Sequence, residues 1–185
     1  MNKKVKEKPL SEKVLNFLGE KSLEFLDAGF KIIFDPEDLI KTYWGGSMYK
    51  NFSYVPHTIY SLKRSPYFKQ EGKKFYVTEK GRMRIIKNII RNKNIQGKKL
   101  SGSWLGIIFD IPEVNRRERA FLRRELNMAG CKELQKSVWI TPFDIEKELL
   151  ALLSLWKRDF KGDIRFLKIE KISGEEQIKK YFKIK

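Results

Sequence analysis

Residues 104–142 constrain the fold of this chain more than any other stretch. The run from Trp104 to Ile111 is almost wholly apolar, as expected for a central strand that is covered on both faces. Pro112 ends that strand, an amphipathic segment rich in arginine follows, and Gly130 precedes two short strands joined by a tight turn. A strand, a helix and two further strands in this order make up the first four elements of a βαββαβ unit.

The residues that follow supply the remaining two elements of this unit. Apolar residues at helical spacing over 145–160 predict a second helix, and the apolar run 164–169 predicts the strand that closes the sheet. We therefore predict a ferredoxin-like βαββαβ domain over residues 104–172. A capping pattern at the start of residues 173–185 predicts a short C-terminal helix or tail.

The chain before this domain shows a different order of elements. Apolar periodicity and capping residues predict a helix from Ser11, a second helix over 35–45, ended by a pair of glycines, and a third helix over about 55–64. A hairpin with its turn at residues 71–74 and a closing helix follow. Three helices, a hairpin with a basic tip and a closing helix predict a winged helix-turn-helix domain over residues 11–91.

Two polar segments flank the predicted winged helix. Residues 1–10 form a basic tail, and residues 92–103 hold two glycines and lack an apolar period, which predicts a linker. The fold class that we predict is therefore α+β, with an N-terminal winged helix-turn-helix joined to a ferredoxin-like domain.

The positive charge of the chain is concentrated in one block. The whole chain carries a formal charge of +17, and residues 50–99 hold 14 lysine and arginine residues against 2 acidic ones. A concentrated positive field suits a polyanion, because each neutralised phosphate releases condensed counterions. Since this block coincides with the predicted winged helix, we expect double-stranded DNA as the partner.

The residues that we predict to contact DNA lie on four segments. In a winged helix the third helix enters the major groove, and the hairpin touches the backbone or the minor groove. The arginines of the arginine-rich helix are equally compatible with phosphate contacts and with a solvated face. The predicted contact residues are His57, Ser61, Lys63 and Arg64 on the third helix, Lys73 and Lys74 on the hairpin, Arg84, Lys87 and Arg91 on the closing helix, and Arg116, Arg119 and Arg123 on the arginine-rich helix.

Two single residues exclude several other kinds of site. Cys131 is the one cysteine, so the chain forms no internal disulfide, and we expect Cys131 to be a small core residue. His57 is the one histidine, which excludes a histidine metal cluster and a histidine-based nucleophilic triad within one chain.

No segment approaches the roughly 18 consecutive apolar residues of a membrane span. We therefore expect a cytoplasmic protein without a membrane partner.

Several motifs of the ferredoxin-like domain resemble one known family. They are Phe109-Asp-Ile-Pro-Glu113, Arg116-Arg117, Arg119, Leu122-Arg-Arg124, Leu126, Gly130 and Ser137-Val-Trp-Ile-Thr-Pro142. These motifs resemble the central domain of the PaaX repressors of phenylacetate catabolism. That domain is itself similar to the CRISPR-associated endonuclease of spacer acquisition, the second Cas family.

The resemblance has implications for fold and function. The PaaX pattern also has a winged helix before this domain, so the resemblance covers about residues 11–170. It implies a transcriptional repressor that dimerises through its ferredoxin-like domain and requires no cofactor to bind DNA. The nuclease group typically carries an acidic residue just after the strand that corresponds to Ser137–Trp139, whereas Ile140-Thr141-Pro142 follows here. On that strand the chain resembles the repressors.

Asp110 is the residue on which the functional hypotheses divide. It matches the aspartate that the nuclease family places at the end of its first strand. Two such carboxylates, one from each copy of a homodimer, could hold one Mg²⁺ or Mn²⁺ ion against a phosphate. In the structural alternative, which we favour, Asp110 caps the helix after Pro112 or pairs with an arginine of that helix.

Three functional hypotheses follow from these patterns. In the first, the chain is a sequence-specific double-stranded DNA-binding regulator, and repression is what the resemblance implies. In the second, it is a metal-dependent nuclease or a CRISPR spacer-acquisition factor, with Asp110 as the catalytic residue and shared metal ligand. In the third, it is a ligand-sensing module, although nothing in the sequence identifies an effector.

Overall fold

Two units divide the chain, Met1–Asn88 and Ile89–Lys185. A computed structural model describes residues 10–22, 32–39, 54–96, 100, 102–156 and 162–184. The predicted basic tail, except for its last residue, therefore lies outside the described residues. The end of the predicted second helix with its two glycines also lies outside them.

The N-terminal unit combines helices with a small sheet. Helix α1 (Leu10–Ser22) precedes strand β1 (Ile33–Phe34), and residues 36–39 are helical. Helix α2 (Tyr54–Arg64) leads into a hairpin of strands β2 (Phe68–Glu71) and β3 (Lys74–Val77), and helix α3 (Glu79–Gln96) follows. The three strands pair antiparallel in the order β1-β3-β2.

Apolar side chains from four elements form the core of this unit. Leu15 of α1, Leu62 of α2, Phe75 of β3, and Ile85 and Ile86 of α3 are each at most 1% exposed. Full burial of a side chain of this size contributes roughly 1.5–3 kcal/mol. Each helix therefore turns one side to the core and leaves the other side to solvent.

Helix α3 corrects the predicted linker over residues 92–103. The helix reaches Gln96, so the first five residues of that segment are helical. Polar side chains hold this last turn, because Lys93 Nζ donates to the main-chain oxygen of Asp144 at 2.7 Å and to the carboxylate of Glu148 at 2.9 Å. Since these anchors are polar, the turn shows no apolar period in the sequence.

A turn at Gly130 completes the anchoring of α3. Gly130 has φ +77°, and an added Cβ would lie 2.7 Å from Nδ2 of Asn94. That amide nitrogen donates to the main-chain oxygen of Ala129 at 2.7 Å. Any larger residue at position 130 would therefore strain the backbone and displace the amide that holds the end of α3.

The C-terminal unit is built on a four-stranded antiparallel sheet. Its elements are β4 (Trp104–Asp110), a 3₁₀ turn (Glu113–Asn115), α4 (Arg116–Met128), β5 (Lys132–Gln135), β6 (Val138–Thr141), α5 (Glu146–Trp156), β7 (Asp163–Ile169) and α6 (Glu175–Phe182). The strand order is β5-β6-β4-β7. This order, with an antiparallel pairing at each step, is that of the ferredoxin-like βαββαβ fold, as the sequence predicted.

One face of this sheet packs against helices α4 and α5. Ile107 of β4 is fully buried, and it lines a small internal cavity together with Leu122 of α4, Leu149 of α5 and Phe166 of β7. The alternation of β4 therefore directs every second side chain into the space between the sheet and these helices.

The opposite face of the sheet is covered only in part. Trp104 and Ile140 pack there against Ile178 of α6. Away from α6, the same face carries the exposed apolar residues Ile108 and Leu167, which are 38% and 40% exposed. Val138 lies opposite Ile108 in the β4–β6 register and is half-buried. We call Ile108, Val138 and Leu167 the open sheet end.

Candidate nucleic-acid interface

Helix α2 carries the first set of predicted contact residues. Thr58 and Leu62, one turn apart, are buried, so they fix which side of the helix faces the core. The predicted residues lie away from that side: His57, Lys63 and Arg64 are exposed and Ser61 is half-buried. Within the described residues, no hydrogen bond or ion pair engages the ammonium group of Lys63.

Tyr60 is a neighbour of these residues that the sequence analysis missed. Its side chain is 58% exposed. Arg64 Nη1 donates a hydrogen bond to Tyr60 Oη at 2.6 Å, and the guanidinium carbon lies 5.4 Å from the centroid of the tyrosine ring. The i,i+4 spacing of a tyrosine and an arginine on the exposed side of a helix is the sequence signal that could have indicated this pair.

The hairpin carries the second set of predicted contact residues. Lys73 and Lys74 are exposed at its tip, where Gly72 has φ +60° and allows the tight turn. Lys69 on β2 was not predicted, and its Nζ lies 5.8 Å from the ring centroid of Tyr76 on β3. A hydrogen bond to Tyr76 raises the pKa of Lys69, and this exposed side chain is cationic at neutral pH like other exposed lysines.

The closing helix α3 is less uniform than the sequence predicted. Arg84 forms an ion pair with Glu12 of α1, which occupies its guanidinium within the N-terminal unit. Lys87 is half-buried, and Arg91 is exposed. Of the three predicted contacts on this helix, Arg91 is therefore the one most accessible to a partner.

Five side chains of α2 and the hairpin are both basic and exposed. We call them the exposed cation group: they are Lys63, Arg64, Lys69, Lys73 and Lys74. Few carboxylates accompany them, because residues 50–99 contain only Glu71 and Glu79 as acidic residues. The group therefore produces a positive potential that its own neighbourhood neutralises only weakly.

The three arginines of α4 that were predicted to contact DNA have carboxylate partners in the C-terminal unit. Arg119 donates to the main-chain oxygen of Ile111 at 2.6 Å and to Glu113 at 3.3 Å. Arg123 contacts both carboxylate oxygens of Glu133 at 2.8 and 2.9 Å. Arg116 is exposed and lies 3.8 Å from Glu113. Arg119 and Arg123 thus tie α4 to neighbouring segments of their own unit.

Asp110 lies at the end of β4 and is exposed. The predicted cap is wrong: Pro112 precedes the 3₁₀ turn and Asn115 precedes α4. Within the described part of the chain, the Asp110 carboxylate has no hydrogen bond or ion pair, so the predicted arginine pairing is also not formed there. Its neighbour across the β4–β7 ladder is Asp163.

The surroundings of Asp110 supply few metal ligands. Asp163 is bound by Arg165 Nε at 2.7 Å, which compensates its charge. Among the residues that the structure describes, no group of three or more histidine, cysteine, aspartate or glutamate side chains could hold a metal ion. Mg²⁺ prefers several oxygen ligands, so the one uncompensated carboxylate of a single copy does not make a site by itself.

Cys131 is buried in the C-terminal unit, and the prediction that it is a core residue is confirmed. Burial raises the pKa of its thiol to about 12, although a hydrogen bond with Thr141 acts in the opposite direction. The thiol is therefore protonated at neutral pH and is a poor nucleophile and a poor metal ligand.

The C-terminal unit thus defines the class of protein to which the chain can be compared: proteins with a ferredoxin-like domain that follows a basic helix-and-hairpin unit. Residues 97–179 match the family model described as the PaaX protein central Cas2-like domain. Over this domain the chain is PaaX-like, and the resemblance seen in its sequence motifs is confirmed. Comparison with curated proteins and with solved structures found no match. None of the described helices is long and apolar enough to cross a membrane.

Proposed function

We propose that this chain is a PaaX-type regulator that binds double-stranded DNA through its N-terminal unit and represses transcription. One observation carries the proposal: the exposed cation group lies on a helix and a hairpin in a part of the chain with very few carboxylates. Phosphate binding by lysine and arginine supplies most of the affinity of such proteins for DNA. The family of the C-terminal domain supports the regulatory role.

The order of elements supports a winged helix in the N-terminal unit. Helix α2 precedes the β2–β3 hairpin, and strand β1 completes a three-stranded sheet beside β3. In this arrangement α2, the helix directly before the hairpin, is the recognition helix. A major groove about 12 Å wide admits one α-helix of this kind. The lysines at the hairpin tip would then contact the backbone or the minor groove.

The open sheet end supports dimerisation through the C-terminal unit. Its exposed apolar residues lie beside Asp110 and Arg165, which are on the same face of β4 and β7. A two-fold axis brings the same patch of both copies together, so opposite charges on one patch can pair with their symmetry mates. A single-copy mass in sedimentation equilibrium at micromolar concentration would argue against this dimer.

One observation favours a second candidate function, a metal-dependent nuclease. Asp110 is exposed and, within the described residues, neither caps a helix nor pairs with a cation. Two copies facing each other would bring together two such carboxylates, which are the oxygen ligands that Mg²⁺ and Mn²⁺ accept. Asp110 would then be a metal ligand shared across the dimer.

A single experiment separates the two functions. Wild-type protein and the Asp110→Ala variant are incubated with labelled duplex DNA, with Mn²⁺ or with a chelator, and mobility shift and fragmentation are measured in the same samples. For the regulator we expect a shift without metal in both proteins and no fragments. About four phosphate contacts predict a loss of affinity of roughly a hundredfold between about 50 and about 200 mM salt.

Two other outcomes decide against the regulator, and a third calls for further purification. Fragments that require Mn²⁺ and appear with the wild type alone would make the protein a nuclease with Asp110 at its centre. Fragments that persist with Asp110→Ala would indicate a contaminating nuclease, and the shift is then measured after further purification. Absence of any shift at about 50 mM salt would refute the proposed DNA binding.

A further inference from the structure

Tyr60 and Arg64 form a structural unit on the exposed side of α2. We infer that Tyr60 positions the guanidinium of Arg64 to read a guanine in the major groove. This inference rests on the proposed DNA binding by α2. It names guanine as the base that Arg64 contacts and Tyr60 as the residue that holds Arg64 in place.

The geometry fixes the arginine in two ways. The hydrogen bond from Arg64 Nη1 to Tyr60 Oη at 2.6 Å restrains one end of the guanidinium. A cation–π contact, with the guanidinium carbon 5.4 Å from the ring centroid, holds the group against the tyrosine ring. An unrestrained arginine loses much rotational freedom when it binds, so an arginine already held in place loses less.

The remaining donors of Arg64 suit guanine. The guanidinium carries five N–H donors in a planar fork, and the tyrosine oxygen engages one of them. Guanine presents two acceptors, O6 and N7, in the major groove, and a bidentate arginine is the commonest specific contact to them. Among the described residues Arg64 has no carboxylate partner that would compete for these donors.

The neighbours of Arg64 favour base reading over a second phosphate contact. Lys63 lies next to Arg64 in the last turn of α2 and supplies a point charge for a phosphate. A phosphate contact needs charge but no fixed orientation of a fork, whereas a bidentate contact to a base needs that orientation. The hydrogen bond to Tyr60 orients the guanidinium of Arg64, and this orientation is needed for a base contact but not for a phosphate contact.

The test begins with the sequence preference of the wild-type protein. Binding sites are selected from a randomised duplex, and dissociation constants are then measured for the selected duplex and for one in which a preferred G·C pair is replaced by A·T. We expect the wild type to discriminate roughly tenfold or more at one such position. Arg64→Lys should lose most of this discrimination but retain binding to unselected duplex.

Tyr60→Phe tests the positioning role. It keeps the ring and removes the hydroxyl, so we expect roughly a threefold loss of discrimination with an unchanged salt dependence. In the Arg64→Ala background the same change should have no further effect, because the two residues act together. Tyr181→Phe is the matched control, since Tyr181 is also exposed and lies beside a lysine in the other unit.

The outcomes separate this inference from the proposed function. Salt-dependent duplex binding with no guanine preference that depends on Arg64 would overturn the inference and leave the proposed function standing. If Tyr60→Phe and Tyr60→Ala both discriminate G·C from A·T as well as the wild type does, Tyr60 does not position Arg64. Absence of duplex binding by the wild type would overturn both. Circular dichroism melting of each variant excludes unfolding as the cause of a loss.

Discussion

The two units of this protein use their basic side chains in opposite ways. On α2 and the hairpin of the N-terminal unit, the exposed cation group has few acidic neighbours. In the C-terminal unit, Lys93, Arg119 and Arg123 are bonded to carboxylates or main-chain oxygens. The number of basic residues therefore does not identify a binding surface, whereas the scarcity of neighbouring carboxylates does.

This difference separates stability from binding. A cation that compensates a buried carboxylate contributes to the free energy of unfolding, because its loss leaves an unpaired charge in a poorly solvated place. A cation on the exposed surface contributes little to stability and remains available for a phosphate. Substitutions in the two units should consequently affect different measurements.

The largest expected effect is on the stability of the C-terminal unit. Glu148 is 3% exposed, and its carboxylate lies 2.9 Å from Nζ of Lys93, which is 22% exposed. Lys93→Met leaves this carboxylate without its cation, and we expect the free energy of unfolding to fall by about 3 kcal/mol. Urea unfolding followed by tryptophan fluorescence measures this, since three of the four tryptophans lie in the C-terminal unit.

Two controls sharpen that measurement. Lys147→Met changes an exposed lysine next to Glu148, and it should alter the free energy of unfolding by less than about 0.5 kcal/mol. Glu148→Leu in the Lys93→Met background removes the unpaired charge and should restore much of the lost stability. A Lys93→Met variant as stable as Lys147→Met would show that the pair does not stabilise the unit.

The second effect is on DNA affinity and involves the hairpin. Lys73→Gln combined with Lys74→Gln removes two exposed cations without adding a negative charge. We expect about a fiftyfold loss of affinity for duplex DNA at about 0.1 M salt, with a salt slope smaller by about two, because two phosphate contacts are lost. Fluorescence anisotropy over a series of salt concentrations measures both quantities.

The matched control for the hairpin is a double substitution in the C-terminal unit. Lys147→Gln with Lys180→Gln changes the net charge equally on two exposed helical positions. If affinity depends on where the cations lie, this control should lose only a few-fold in affinity and keep its salt slope. An equal loss in both double variants would mean that net charge alone governs binding.

Much of the fold follows from local patterns in the sequence. The apolar run at Trp104 and the helical periodicity after it predict β4 and α4, because β4 is buried over most of its length and α4 buries one continuous face. The last turn of α3 could not be predicted, since its anchors Lys93 and Asn94 have partners on distant segments. Polar contacts of this kind carry no periodic signal.

The candidate site was predictable to a similar degree. Helical spacing placed His57 and Arg64 on the exposed side of α2, and the turn residues placed Lys73 at the hairpin tip. The pairing of Arg84 with Glu12 depends on the packing of two helices, so no sequence pattern indicated that this arginine is engaged. Tyr60 was missed because an exposed aromatic residue has the same apolar signature as a packed one.

The smallest expected effect concerns an arginine of the C-terminal unit that should affect stability but not DNA binding. Arg123 was predicted as a phosphate contact, yet it lies 2.8 and 2.9 Å from the two carboxylate oxygens of Glu133. Both side chains are more than a third exposed, so solvent screens the pair. We expect Arg123→Ala to lower the free energy of unfolding by about 0.5–1 kcal/mol and to leave DNA affinity within about twofold.

Glu133→Gln distinguishes the two roles of Arg123. It removes the carboxylate charge but leaves the arginine, so it should cost about as much stability as Arg123→Ala if the pair is structural. If Arg123 instead contacts a phosphate, Glu133→Gln should raise DNA affinity, because it frees the guanidinium, and Arg123→Ala should lower it. Opposite effects on affinity would mean that the DNA-binding surface extends into the C-terminal unit. The basic residues of α4 would then serve DNA binding as well as stability.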